Sequence, residues 1–280
     1  GCIPYLPENY PKYLESLNIK CTVFNKLKIY NGIFMNNRDH RKITVIDGKI
    51  AYTGGLNFSD EYINKLSRFG YWKDNAIKLE GDSVWNLTVM FLTLWNSYHK
   101  EDDNYLKFKT PSNKTIEPNG YISCYGSVPL NGILEGEDVY LNIINKAINY
   151  VYITTPYLII DTDMINALIL AVKRGVDVKI IIPGIPDKKI VYELTNSYAK
   201  NLVENGIKVY TYTPGFIHSK IFVSDDNKAT VGTINLDYRS LYLHFENGVY
   251  LEDVNEIKEI HNDVKEIIKE SHQLTKKDVT

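Results

Sequence analysis

Two stretches decide the fold: His40-Arg41-Lys42-Ile43-Thr44-Val45-Ile46-Asp47 and His218-Ser219-Lys220-Ile221-Phe222-Val223-Ser224-Asp225. Each is followed at equal distance by a second short block, Gly54-Gly55-Leu56-Asn57 in one case and Gly232-Thr233-Ile234-Asn235 in the other. The shared pattern is H-x-K-x4-D-x6-G-[GT]-x-N. A pattern this long, met twice in register, marks an internal repeat. A looser likeness extends it upstream: Leu14-Glu15-Ser16-Leu17-Asn18-Ile19-Lys20 resembles Leu202-Val203-Glu204-Asn205-Gly206-Ile207-Lys208.

Outward from the second motif, helical and strand patterns alternate. Residues 137–150 read as a helix, with Val139, Ile143, Ala147 and Ile148 on one face, and 151–160 as a buried strand. A helix over 163–174 is closed by Gly175, followed by a β-branched strand at 176–182. Residues 187–205 form a helix closed by Gly206, and 207–212 a strand. This alternation predicts an α/β fold with a largely parallel or mixed sheet. Residues 84–95 (VWNLTVMFLTLW) read as a core helix, too short to span a bilayer, and 253–271 as a helix packed on the sheet. The breaker-rich stretch 110–120 is the expected linker between residues 1–115 and 120–280, one repeat each.

Composition bounds the chemistry. The 280 residues are 44% hydrophobic and 24% charged, which excludes a disordered chain. Lys+Arg is 32 against Asp+Glu 34, a net charge of −2, which speaks against a protein that grips long nucleic acid. The local cluster Lys26, Lys28, Arg38, Arg41, Lys42 and Lys49 keeps a nuclease open. Cys2, Cys21 and Cys124 lie far apart, giving neither a disulfide framework nor a zinc spacing.

The repeated residues suit phosphodiester chemistry. On an extended chain, residues two apart face the same way, so His40 shares a side with Lys42 and His218 with Lys220. Two imidazoles can supply a nucleophile and an acid that exchange roles in a second step. Lys42 and Lys220 offer charge to the non-bridging oxygens, and Asn57 and Asn235 offer amide donors. The set needs no metal and no cofactor. For Asp47 and Asp225, a place in the turn between two strands is favoured over direct contact with substrate. His99, His261 and His272 have no repeat partner and read as surface helix residues. His244 alternates with Glu246, and Tyr157 follows a strand end where α/β sites open.

With both motifs complete, the chain is identified as a member of the phospholipase D superfamily, whose signature is the HKD motif. The resemblance implies two pseudo-twofold-related repeats with mixed sheets flanked by helices, and a catalytic site at their interface. It implies His40, Lys42, Asp47, His218, Lys220 and Asp225 as the catalytic set. It also implies that a carboxylate downstream in one half orients the histidine of the other, pairing His40 with Glu246 and His218 with Asp74. Flanking segments resemble the bacterial cardiolipin synthases: Asn36-Asn37-Arg38-Asp39, Gly70-Tyr71-Trp72-Lys73-Asp74, Tyr152-Ile153-Thr154-Thr155-Pro156-Tyr157 and Arg239-Ser240-Leu241 before Phe245-Glu246.

That resemblance implies transfer of a phosphatidyl group between two phosphatidylglycerol molecules through a phosphohistidine, giving cardiolipin and glycerol. It implies phosphatidylglycerol and cardiolipin in the membrane as partners, no nucleic acid, and a site facing the cytoplasm at the bacterial cell membrane. A hydrolase yielding phosphatidic acid, a phospholipase D-type nuclease and an inactive lipid-binding module are the competing readings. Before His40 stand 39 residues, whereas 97 separate Tyr121 from His218. The first repeat is therefore expected to be incomplete, short of roughly 60 residues, with residues 1–4 as the exit from a missing strand. An exposed sheet edge is expected with it.

Overall fold

The computed structural model describes residues 6–26, 36–99, 104–111 and 119–279. Residues 1–4, Lys28 and most of the expected linker (112–118) lie outside the described residues.

In the first repeat, α1 (Tyr10–Ser16) carries a proline in its first turn, where no intrahelical donor is lost. It closes through Asn18 at φ 60, with the amide of Ile19 donating to the carbonyl of Leu14. The same bond runs from Ile207 to Leu202 in the second repeat, so the looser likeness reflects a shared helix cap. Strands β1 (Ile43–Ile46) and β2 (Ile50–Gly54) form a hairpin. They are followed by β3 (Tyr71–Lys73), β4 (Ala76–Glu80) and α2 (Ser83–Tyr98). The order β1-β2-β4 makes an antiparallel three-stranded sheet.

The second repeat runs β5 (Tyr121–Ser127), α3 (Glu135–Lys146), β6 (Tyr150–Thr154), β7 (Leu158–Ile159), α4 (Thr162–Lys173), β8 (Asp177–Pro183) and α5 (Lys189–Glu204). It continues through β9 (Lys208–Tyr212), β10 (Gly215–Ile217), β11 (Ile221–Ser224), β12 (Lys228–Gly232), β13 (Leu236–Asp237) and α6 (Tyr238–Tyr242). It ends with β14 (Glu246–Glu252), α7 (Glu256–Lys269) and β15 (Ser271–Gln273). Eight strands join in the order β15-β9-β8-β6-β11-β12-β14-β5, parallel at β9-β8-β6 and antiparallel elsewhere. The sheet is mixed, as the α/β alternation predicted.

One face of this sheet is covered by α3, α4 and α5, burying Ile143, Ile153, Leu168, Ile180 and Leu202. The other face packs against α7 and the small sheet, burying Ala51, Leu79, Leu87, Ile221, Val231, Val249 and Ile257 in one cluster. Each such aliphatic side chain contributes roughly 1.5–3 kcal/mol on burial. The stripe of α7 is Ile257, Val264 and Ile267, and its acidic first turn complements the helix dipole. The strand β1 has no partner on its outer edge among the described residues, while its counterpart β11 pairs with β6 there. Among the described residues, no helix is long and apolar enough to cross a membrane.

Several boundaries differ from the sequence reading. The helix expected over 137–150 stops at Lys146, and Ile148 is exposed rather than on the buried face. The cause is Asp225: its carboxylate accepts from the amides of Ile148, Asn149 and Tyr150 at 2.7–2.9 Å and turns the chain into β6. The strand expected over 151–160 breaks after Thr154, because Pro156 cannot extend the ladder. Of the three histidines without a repeat partner, His261 lies in a helix as read and His272 is exposed, but two are engaged by neighbouring rings. His99 stacks on Trp95, His261 stacks on Tyr150 and bonds Asp226 at 2.6 Å, and His272 lies in β15 rather than a helix.

Candidate active site

The two motifs meet where the repeats interlock. In both repeats the H-x-K triplet precedes the strand rather than lying in it, since β1 begins at Ile43 and β11 at Ile221. The chain before each histidine instead pairs with the opposite half. Parallel pairing of β10 with β3 aligns Ile217 with Lys73, and an isolated parallel bridge aligns Asp39 with Phe245. The next amide in each case crosses over, from His218 to the carbonyl of Lys73 at 2.7 Å and from His40 to that of Phe245 at 2.9 Å. The residues after those carbonyls are Asp74 and Glu246, so the backbone exchange delivers one carboxylate to each foreign histidine.

His40 Nδ1 lies 2.9 Å from both Oε1 and Oε2 of Glu246, and His218 Nδ1 lies 2.8 Å from Asp74 Oδ2. These are the two pairs the family resemblance implied. A carboxylate only accepts, so Nδ1 carries the proton of each neutral ring and Nε2 is left basic. Glu246 is fully buried and Asp74 nearly so, whereas the His40 side chain stays 25% exposed and that of His218 only 7%. Burial pushes both imidazoles below their usual range, and the neighbouring lysines add to it, outweighing the carboxylates. Burial alone would raise Asp74 and Glu246, but the facing histidines and lysines hold both below the usual carboxylate range.

The lysines point inward. Lys220 is buried, its Nζ donating to the carbonyl of His218, and Lys42 Nζ donates to that of His40 at 2.7 Å. Burial lowers Lys42 to about 8. Burial and the nearby Lys42 lower Lys220 to about 7, against the pull of Asp74 and Glu246. Of the basic cluster weighed for nucleic acid, Lys42 belongs to the site, and Arg41 is engaged by Asp39 and the Met90 carbonyl.

Asn57 donates to the Tyr62 hydroxyl at 2.6 Å, and the Tyr62 ring sits edge-on to His218 at 5.3 Å. Asn235 is buried, with Nδ2 3.1 Å from Ser240 Oγ and Oδ1 without a partner. Trp72 and Phe216 complete an aromatic wall round His218, with centroids 5.1 and 6.0 Å away. Tyr157 stands behind Phe216 and donates to Asp187 at 2.6 Å. Gly55 is required by close approach, because a Cβ there would lie 2.0 Å from Asp74 Oδ1. At the matching position Thr233 donates its hydroxyl to Glu246.

The motif aspartates stand in the turns that the sequence reading favoured for them. Asp47 and Asp225 occupy the first central position of the β-turns that join the hairpin strands, at φ 53 and 52, each followed by a second residue of positive φ. The closing bonds run from Lys49 to Ile46 and from Asn227 to Ser224, the type I′ geometry that suits a hairpin. Both lie at the far end of the strand from their histidines.

Sequence reasoning missed Asn75 and Asn247, which follow the two carboxylates. Asn75 Oδ1 accepts from the Lys220 amide, and Asn247 Nδ2 donates to Thr53, so each stitches one half to the other. The signal was present as the matched pairs Asp74-Asn75 and Glu246-Asn247. Side-chain polar atoms buried without a partner include Asn75 Nδ2, Asn235 Oδ1, His244 Nε2 and Asn247 Oδ1, all on residues of this junction. The donor atoms of His40, His244 and Glu246 lie within 4.8 Å of one another, a spacing that a metal ion could use. In this arrangement both imidazoles spend Nδ1 on the carboxylate instead.

Interlocked repeats, crossed histidine–carboxylate pairs and paired lysines define a phospholipase D-like protein, and the chain belongs to that superfamily. Within it, residues 140–268 match the family described as cardiolipin synthase, PLD-like domain. The chain is 41% identical over 253 residues to cardiolipin synthase 1 of Staphylococcus aureus, covering 90% of this chain and 51% of that protein. It is 49% identical over 268 residues to an uncharacterized protein of Streptococcus mutans, covering 96% and 58%. The chain thus spans about half the length of the curated relatives it matches. A fold match covers 84% of the chain and 63% of phosphatidylserine synthase from Haemophilus influenzae, with a TM-score of 0.65 and 16% identity.

Proposed function

We propose that this chain carries the catalytic centre of a cardiolipin synthase-type phosphatidyltransferase. The observation that carries the reading is the crossed pair of carboxylate-held imidazoles, His40–Glu246 and His218–Asp74, flanked by Lys42 and Lys220. One neutral imidazole attacks the phosphorus of phosphatidylglycerol through Nε2. A phosphorus–nitrogen bond forms, the bond to the glycerol oxygen breaks, and the other imidazole, which enters this step as an imidazolium protonated on Nε2 as well, gives that oxygen the Nε2 proton and becomes neutral. In the second step the same imidazole takes the proton from the hydroxyl of a second phosphatidylglycerol. Its oxygen displaces the histidine and cardiolipin leaves. The lysines neutralise the developing charge, and Asn57 and Asn235 supply amide donors to the same oxygens.

A lipid substrate is supported by the rim of the site. Phe58, next to Asn57, is fully exposed, and Leu56, Ile63 and Leu66 expose apolar surface on the same loop. The test is incubation with phosphatidylglycerol vesicles. Cardiolipin plus glycerol is expected. Phosphatidic acid alone would assign a hydrolase, and no lipid turnover with DNA cut instead would assign a nuclease and overturn the reading.

A further inference from the structure

In each half the carboxylate that holds the foreign histidine has a ring N–H two residues before it. Trp72 Nε1 lies 3.3 Å from Asp74 Oδ2, and the Trp72 ring stands 5.1 Å from His218. His244 Nδ1 lies 3.3 Å from Glu246 Oε1, and the His244 ring stands 5.4 Å from His40. The backbone settles the equivalence, because the crossing amide bonds end on Lys73 and Phe245, the residues between each ring and its carboxylate. Trp72 and His244 therefore occupy one position of the repeat, filled with an indole in one half and an imidazole in the other.

The two carboxylates need that donor to different degrees. Asp74 is short and is also held by the Asn75 amide at 2.9 Å. Glu246 has one more methylene and one more torsion, so its carboxylate is fixed only by what surrounds it. Oε2 takes the Thr233 hydroxyl and His40, and Oε1 takes His40 and His244. With Glu246 fully buried, water is not at hand to replace a lost donor. His244 Nε2 is buried without a partner, which suits a bare lone pair better than an orphaned N–H, so Nδ1 carries the proton that Glu246 accepts.

We propose that His244 is a positioning residue for His40: by donating Nδ1–H to Glu246 Oε1 it fixes the carboxylate that holds His40 in its Nδ1–H tautomer. The geometry stands by itself, while its consequence for turnover rests on the function proposed above. Trp72 is the built-in precedent for a neutral ring donor at this position.

The test compares the full chain with His244→Phe, which keeps a ring and drops the donor, and His244→Gln, which keeps an N–H and drops the ring. Nitrogen-15 NMR of labelled histidine, with His40 assigned from the missing signals of His40→Gln, reads the tautomer without needing activity. In the parent chain and His244→Gln, His40 Nε2 is expected to resonate as a lone-pair nitrogen. In His244→Phe it is expected to move toward the value of a tautomer mixture, with kcat for phosphatidylglycerol down about tenfold and KM unchanged. His218 signals at their parent values show that the variant is folded. His40 unchanged in a folded His244→Phe, or equally altered in His244→Gln, would overturn the proposal. Absent lipid turnover with the tautomer shift intact would overturn only the proposed function.

Discussion

Glu246 holds His40 across 206 residues of chain, with both carboxylate oxygens 2.9 Å from Nδ1. Asp74 holds His218 in the reverse sense across 144. Each imidazole is thus oriented by the half it does not belong to, and neither half makes a competent histidine alone. Glu246→Gln keeps the shape but replaces an acceptor with an amide that can turn an N–H toward Nδ1, selecting the wrong tautomer. Turnover of phosphatidylglycerol is expected to fall about a hundredfold or more, and likewise for Asp74→Asn, with the near-UV circular dichroism unchanged. A loss under about threefold in both would mean the carboxylates do not orient the rings.

The lysines set an alkaline limit. With Lys220 near 7 and Lys42 near 8, the charge that binds phosphate is present below these values and lost above them. The ratio kcat/KM reports the free enzyme, so it is expected to fall as pH rises through 7 to 8. Bound phosphate favours the charged amines, so the corresponding limb of kcat lies higher. Lys220→Met removes the charge at every pH and is expected to cost about 100- to 1,000-fold. An alkaline limb of kcat/KM unchanged in Lys220→Met would remove Lys220 as its source.

Stability should fall on mild acidification. His40 and His218 have folded pKa values below the unfolded value of about 6.5, so between the two the unfolded chain binds more protons. Their contribution is present above about 6.5 and is lost as pH falls below it. Asp74 and Glu246 are depressed as well, so their contribution is lost at lower pH still. Glu137 runs the other way: burial raises it to about 7, so its contribution is present at acid pH and lost as pH approaches neutrality. With two histidines against one carboxyl, Tm is expected to drop between pH 7 and 5. The slope should flatten in His218→Asn, and an unchanged slope there would exclude His218 as its cause.

Much of this site was legible in the sequence because chain spacing encodes it. Matched H-x-K triplets fix which histidines and lysines face one way, and β-branched runs bounded by Gly175 and Gly206 mark the strands and helices of the second repeat. The end of α3 was not legible, because a carboxylate 75 to 77 residues from the amides it gathers terminates that helix. Nor was the partnership of His244 with Glu246, since alternation gives a shared face but not what else packs on it. Asn75 and Asn247 escaped because their roles are contacts between halves, which no local period records.

Asp225 offers a separation of structure from chemistry within the motif itself. Its carboxylate gathers three consecutive amides where α3 hands over to β6, and β6 is the direct partner of β11, the strand that follows His218. Asp225→Ala leaves those donors to water and places alanine at φ 52, a conformation that disfavours a Cβ. The expected cost is about 1–3 kcal/mol, seen as a lower Tm. Turnover per folded molecule is expected to stay near the parent value. Asp225→Asn should lose less, because asparagine tolerates the left-handed region and keeps one acceptor oxygen. Asp47→Ala should cost less than Asp225→Ala, since at Asp47 it is the backbone carbonyl that is engaged, by the Thr110 hydroxyl. If Asp225→Ala abolished turnover while leaving Tm unchanged, the aspartate would belong to the reaction and not to the turn.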